Sequence, residues 1–227
     1  MVTICLQEFK KLDMRIDTKK SCIIRIGKSY QATVSNILAG ETPLPWGKDM
    51  TYLGICFLAG KDIRYDFHKT KSKYFGALNY LLGKIGTKSK ETLTLSLQVT
   101  SKCFPILTYG LEAMRINKTQ LSNLSYVYNA IFVKLFSTFK RDIIEQCQFY
   151  TGFLPLQYRY DLMRLNFLFT LNSNVVSPAN TIFKLLGVED LSLLCKKYGI
   201  HMNLGFPNRS RAVWQHFSAY IDNLNAS

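Results

Sequence analysis

The spacing of hydrophobic positions changes near residue 60 of this 227-residue chain. Before that point, apolar residues occur in short runs bounded by Gly, Pro, Asp and Lys, which is typical of strands and turns. After Asp66 they recur every three to four residues, which is typical of amphipathic helices. The pattern predicts an α+β chain in which a small antiparallel sheet precedes a mostly helical part.

Residues 51–57 are predicted to be a buried strand that ends this sheet, because the run is free of charge and rich in aromatic and branched side chains. Upstream, residues 14–26 predict a strand, a polar turn at residues 18–20 and a second strand. Residues 37–44 predict an edge hairpin that turns at Gly40 and Glu41. A short amphipathic helix is predicted over residues 4–12.

The helical part is divided by capping and breaking residues. Asn117 is the expected N-cap of the most regular helix, and Pro105 is expected to break or restart the chain ahead of residues 106–114. The last twenty residues have no clear pattern. The helices predicted after the sheet cover residues 66–85, 92–103, 106–114, 117–136, 142–150, 156–171, 179–186 and 190–198.

The positive charge is concentrated in the first three fifths of the chain. Of a formal net charge of +14, residues 1–141 carry 22 Lys+Arg against 9 Asp+Glu, whereas residues 142–227 carry 7 against 6. No acidic residue lies between Phe67 and Lys90. Such a basic field attracts polyanions, and nucleic acid is the commonest one in cells. The alternative is a solvated helix face without a ligand.

Several classes of protein are disfavoured by the remaining composition. No apolar run approaches the roughly 20 residues of a membrane span, and no basic segment precedes a long apolar one at the start. We therefore expect an intracellular protein, cytoplasmic or nuclear, without a membrane partner. The six cysteines are far apart and are expected to be reduced core thiols. Cysteines and histidines have no zinc-ligand spacing, so a metal-dependent hydrolase ranks last.

Four short motifs, in order, resemble the C-terminal part of the reverse transcriptase of non-LTR retrotransposons, in particular the jockey-like group. The resemblance covers roughly residues 1–170. The motifs are Leu-Asp-Met-Arg-Ile-Asp-Thr-Lys-Lys-Ser at 12–21, Pro-Trp at 45–46 ahead of Tyr-Leu-Gly at 52–54, Phe-Pro-Ile-Leu-Thr-Tyr-Gly-Leu-Glu at 104–112 and Asn-Ala-Ile-Phe-Val-Lys-Leu-Phe at 129–136.

The resemblance implies three parts: the end of a polymerase palm at residues 1–60, a helical thumb at 61–172 and a helical C-terminal extension at 173–227. It also implies a partner, the RNA/DNA template–primer duplex. Polymerases of this family hold two metal ions on carboxylates that include an adjacent Asp-Asp pair, and this sequence contains no such pair.

We therefore expect a fragment that begins just after the catalytic hairpin, binds template–primer and does not polymerise alone. The Mg²⁺ ions, the rest of the palm and the fingers would belong to the complete parent polymerase.

Candidate site residues follow from the same resemblance. Lys20 would lie near the triphosphate and could act as a general acid toward the departing pyrophosphate. The simpler interpretation is a solvated turn lysine. The residues expected to contact nucleic acid are Lys19, Tyr52, Leu53, Gly54, Lys69, Lys71, Lys73, Lys84, Lys88, Lys90 and Lys134.

The main alternative is a stand-alone basic helical protein that binds nucleic acid or acts as a scaffold without catalysis. Its apolar C-terminal half would then dock a partner. No metal ligand is expected in this chain under either interpretation.

Overall fold

The computed structural model describes residues 2–85, 99–201 and 205–226. It is an α+β structure with two compact units, Met1–Lys69 and Thr70–Ser227. The predicted α+β class is therefore confirmed. Lys88, Lys90 and most of the helix predicted over residues 92–103 lie outside the described residues.

The first unit begins with a helix and a small hairpin. Helix α1 is Val2–Lys11, and strands β1 (Leu38–Ala39) and β2 (Thr42–Pro43) pair antiparallel across the turn at Gly40 and Glu41. Gly40 has a φ of +70°, a left-handed value that glycine adopts without strain. The predicted helix and edge hairpin are both confirmed.

A three-stranded antiparallel sheet follows, in the order β3 (Asp49–Tyr52), β4 (Ile55–Leu58) and β5 (Arg64–Asp66). The single buried strand predicted over residues 51–57 is wrong. Leu53 and Gly54 form a two-residue turn between β3 and β4, with φ values of +48° and +81°. Positive φ at both central residues is the pattern of a type I′ hairpin. This turn could not be predicted from the sequence, because leucine is an unusual residue in a type I′ turn.

The structure of residues 14–26 also differs from the predicted strand, turn and strand. The polar turn at residues 18–20 forms, but the strand expected on each side of it does not. Ile23 and Ile26 instead make single parallel bridges with Trp46 and Gly60. These partners are distant in sequence, so local patterns could not indicate them.

The first unit buries few side chains. Among its described apolar residues, only Leu44 and Cys56 are buried. Many others are exposed, including Ile4, Leu12 and Met14. The unit is therefore held largely by backbone hydrogen bonds and small contacts.

Helix α2 (His68–Ile85) begins two residues before the second unit. After a π-helical turn at Val99–Cys103, that unit continues in helix α3 (Phe104–Thr108). Pro105 occupies the first turn of α3, where its missing N–H is not needed. The helix predicted over residues 106–114 is wrong, because Gly110 adopts a φ of +71° and a short 3₁₀ helix, Leu111–Ala113, follows it.

Helix α4 (Lys118–Phe136) contributes the residues that we call the first core of this unit: Leu121, Leu124, Val127, Tyr128, Ile131 and Phe132, all of them buried. Its predicted N-cap is confirmed: the Asn117 side chain accepts from the Gln120 amide at 2.8 Å, and the Gln120 side chain accepts from the Asn117 amide. Tyr128 of α4 stacks on Phe104 at 4.4 Å between ring centroids, and its carbonyl accepts from the buried Tyr74 hydroxyl of α2.

Five further helices complete the unit: α5 (Arg141–Tyr150), α6 (Leu156–Ser173), α7 (Pro178–Leu186), α8 (Val188–Tyr198) and α9 (Phe206–Ala226). The second core includes buried residues from both sides of the division predicted at residue 172. Its buried members are Leu154, Leu165, Leu168, Phe169, Phe183, Leu191, Cys195, Tyr198, Ile200, Val213, Phe217 and Ile221.

Helix α9 occupies the region that had no predicted structure. Its buried residues Val213, Phe217 and Ile221 are spaced by four, which is a helical interval. On α7, by contrast, Ile182, Leu185 and Leu186 are exposed. We refer to these three residues as the α7 aliphatic row.

Candidate nucleic-acid interface

Three lysines of α2 lie along one side of the helix. At about 100° per residue, Lys73 and Lys84 point within about 60° of the direction of Lys69. All three are exposed, and they point about 80° or more away from the directions of the buried Tyr74 and Leu78. Over 15 residues the row extends about 22 Å, which is the length of several phosphates along a nucleic-acid strand. We call Lys69, Lys73 and Lys84 the lysine stripe.

Tyr80 lies on the same side of α2 and is 61% exposed. The Lys84 ammonium nitrogen is 4.8 Å from the centroid of its ring, within cation–π range. Sequence reasoning missed this tyrosine. Its signal was present, because Tyr80 is four residues before Lys84 and eleven after Lys69, both helical intervals.

The start of α2 is electrostatically unusual. Its first turn contains no acidic residue but does contain His68, Lys69 and Lys71. Cations at a helix N-terminus oppose the macrodipole, each by about 0.3–1 kcal/mol. The Asp66 carboxylate lies just ahead of the helix, accepts from the His68 amide at 2.9 Å and offsets part of this cost.

Two other predicted contacts lie off the stripe. Lys71 is two residues from Lys69 and from Lys73, so it points to the other side of α2, where it is half-buried. Lys134 of α4 donates to the Asn79 side chain at 2.8 Å and so links α4 to α2. The structure brings three of the predicted α2 lysines together and separates these two from them.

The β3–β4 hairpin of the first unit exposes its tip. Tyr52 is 61% and Leu53 is 70% exposed, and Gly54 is exposed as well. These are the three residues predicted to touch a primer backbone. Their exposure leaves the tip accessible to a ligand, which a buried strand would not be.

The turn with Lys19 and Lys20 is organised by Asp17. The Asp17 side chain accepts from the Lys19 amide at 3.0 Å. The Asp17 backbone carbonyl accepts from the Lys20 amide and from the Ser21 hydroxyl. The Lys20 ammonium is 3.7 Å from the Asp17 carboxylate, and its side chain is 87% exposed. A weak exposed ion pair of this kind fits the solvated-turn interpretation. The general-acid role of Lys20 stays a prediction.

Buried polar groups of the second unit form structural clusters away from the stripe. The Asp161 carboxylate accepts from the Tyr198 hydroxyl and from the Lys197 ammonium, each at 2.6 Å, and so joins α6 to α8. Burial, followed by the nearby charge of Asp161, raises the pKa of Tyr198 far above its ordinary value. These contacts tie helices together.

Mg²⁺ is the metal that the family resemblance implies, and the described residues do not fit it. No group of three His, Cys, Asp or Glu side chains in residues 2–85, 99–201 and 205–226 is arranged to hold a metal ion. Within the same ranges, no helix is both long and apolar enough to cross a membrane.

The chain was also compared with known proteins. Neither the protein-family models, nor the curated proteins, nor the solved structures contain a significant match to it.

Proposed function

We propose that this chain is the end of the palm and the thumb of a non-LTR retrotransposon reverse transcriptase, and that it binds the RNA/DNA template–primer duplex. In such an enzyme, the carboxylates that hold Mg²⁺ would belong to the fingers and to the rest of the palm. The proposed activity of this chain is binding, inside the cell, without polymerisation of its own.

The lysine stripe is the observation that carries this proposal. Its three ammonium groups form no ion pair with any residue in the described part of the chain. A row of unpaired cations on a single helix face suits a phosphate backbone and carries no base-reading groups. Binding of this kind is independent of sequence, as a polymerase thumb requires.

Two features of the first unit support the proposal. The exposed hairpin tip at Tyr52, Leu53 and Gly54 is available for a primer strand. The exposed apolar side chains of this unit, such as Leu12 and Met14, would suit packing against the rest of a palm.

The salt dependence of binding tests the role of the stripe. The triple variant Lys69→Gln, Lys73→Gln, Lys84→Gln should bind an RNA/DNA hybrid more weakly than the wild type. The slope of log affinity against log salt should decrease in magnitude by about 2.7, because each phosphate contact contributes about 0.9. Fluorescence anisotropy with a labelled hybrid between 50 and 200 mM salt measures this slope.

The matched control removes three other exposed cations: Lys184→Gln, Lys196→Gln, Arg211→Gln. It changes the net charge equally and should leave the slope nearly unchanged. Equal losses in both triple variants would mean that binding follows total charge, and the thumb assignment would then be abandoned. Affinity for heparin equal to that for the hybrid would favour the non-catalytic basic protein instead.

A further inference from the structure

A pocket of about 160 Å³ opens on the surface of the first unit. Tyr30 and Trp46 contribute aromatic rings to its lining, and Ala32, Val34 and Ala59 contribute small apolar groups. An apolar cavity of about 150 Å³ accommodates one benzene ring, so this pocket has room for a single planar ring.

Arg25 organises the pocket. Its Nη1 donates to the carbonyl oxygens of Ser29 and Ala32, and its guanidinium carbon is 5.0 Å from the centroid of the Trp46 ring. The backbone on both sides of Arg25 is fixed as well, because Ile23 and Ile26 bridge to Trp46 and Gly60. The lining is thus held by hydrogen bonds that involve three separate chain segments.

Two side chains in the lining have donors left over. Arg25 donates only through Nη1, so its Nε and Nη2 have no acceptor among the residues that the structure describes. The indole N–H of Trp46 is likewise without an acceptor there. No carboxylate belongs to the lining. A ligand that satisfies this site is flat and carries carbonyl oxygens at its edge.

We propose that this pocket binds the base of an unpaired pyrimidine nucleotide. A pyrimidine has one ring, which matches the volume, and its carbonyl oxygens match the unused donors. Aromatic side chains are the usual platforms on which proteins stack unpaired bases. Lys28 and Lys48, both exposed and each within two residues of a lining residue, supply positive charge for the phosphate. The nucleotide can be free or part of a single strand.

Trp46 provides the readout, because the chain contains only two tryptophans. In the full chain with Trp214→Phe, fluorescence excited beyond the absorption of tyrosine reports Trp46 alone. UMP should quench it saturably and bind about tenfold more tightly than ribose 5-phosphate, which lacks a base to stack. AMP should bind more weakly than UMP because its fused rings exceed the pocket. A short oligo(U) compared with an abasic strand of equal length shows whether strand-borne bases enter.

Ala32→Leu in the Trp214→Phe background should fill the pocket and abolish the UMP effect. Ser35→Leu places the same side chain on a nearby exposed residue that does not line the pocket, and it should leave the effect intact. Equal quenching by UMP and ribose 5-phosphate would overturn the proposal, and AMP binding as tightly as UMP would overturn the assignment to a single ring. Quenching by UMP but not by oligo(U) would support the pocket and identify free nucleotide as its ligand.

This pocket does not depend on the proposed function. UMP-specific quenching without stripe-dependent binding of a hybrid would support the pocket and contradict the reverse transcriptase assignment. Stripe-dependent binding with no base-specific quenching would support the reverse transcriptase assignment and contradict the pocket proposal.

Discussion

Glu145 is a buried carboxylate with two partners from different parts of the second unit. Its Oε1 accepts from Arg141 at 2.9 Å on the same helix, and its Oε2 accepts from the Tyr220 hydroxyl of α9 at 2.8 Å. Arg141 is mostly exposed, so solvent screens that ion pair. The contact with Tyr220 is the one that joins α5 to α9.

The Tyr220 contact makes stability depend on pH. Burial, followed by the hydrogen bond to Glu145 and its charge, raises the pKa of Tyr220 from 10.0 to about 12. Because the folded state favours the protonated phenol, the contact contributes stability below pH 10, and this contribution is lost as the pH rises toward 12. Tyr220→Phe should therefore lose less stability between pH 9 and pH 11 than the wild type. Urea unfolding at the two pH values measures the difference.

An exposed tyrosine is the control for this experiment. Tyr126→Phe removes a hydroxyl from the outer side of α4, where the residue is exposed, and should behave like the wild type. Identical pH dependence in the wild type and Tyr220→Phe would show that the bond to Glu145 has no influence on unfolding.

Residue identity alone predicted some contacts of this kind and not others. Asn117 and Gln120 form a capping box because both lie within one turn, so the sequence was sufficient to identify the cap. Glu145 and Tyr220 are 75 residues apart, and no local pattern joins them. The same holds for the Trp46 pocket, which depends on parallel bridges between distant residues.

At the scale of elements, the β3–β4 hairpin contains a residue that is unfavourable for its turn. Leu53 has a φ of +48°, and the left-handed conformation costs most L-residues about 1–2 kcal/mol. The side chain is exposed and therefore gains little from packing. A strained residue retained at an exposed tip is consistent with a role in binding.

Leu53→Asn should stabilise the first unit by about 1 kcal/mol, because Asn-Gly is the preferred pair for a type I′ turn. The same change should weaken hybrid binding if the leucine contacts the primer strand. Urea unfolding monitored by Trp46 in the Trp214→Phe background measures the stability. Leu53→Ala is the control, since it removes the side chain but keeps an unfavourable residue at positive φ. Stability no greater in Leu53→Asn than in Leu53→Ala would contradict the turn assignment.

This hairpin also shows why some elements were predicted and others were not. Helix α4 has a cap at Asn117 and an apolar residue every three or four positions, so local signals and tertiary packing agree. In residues 51–57 a leucine occupies a turn position that usually holds Asn, Asp or Gly, so the run was interpreted as one strand. For α2 the lysines were evident in the sequence, but only helical geometry separates Lys71 from the stripe.

At the scale of the whole molecule, burial is very uneven. The second unit contains nearly all the buried apolar side chains of the described chain, and in the first unit only Leu44 and Cys56 are buried. Hydrophobic burial is the main favourable term in folding, so the two units should differ in local stability.

Hydrogen exchange measures this difference directly. Amides of residues 33–36 should exchange fastest among those described, because this segment is exposed and belongs to no strand or helix. Amides in the middle of α4 and α6 should exchange slowest, since these helices pack into the two cores. Similar protection in both units would contradict the inference that the first unit is the weaker one.

The α7 aliphatic row has a practical consequence for work with the purified chain. Ile182, Leu185 and Leu186 present contiguous hydrocarbon to water, and surfaces of this kind promote colloidal association as concentration rises. We expect light scattering to increase with protein concentration. Titrations carried out at nanomolar protein should therefore report single molecules, and concentrated samples should report aggregates.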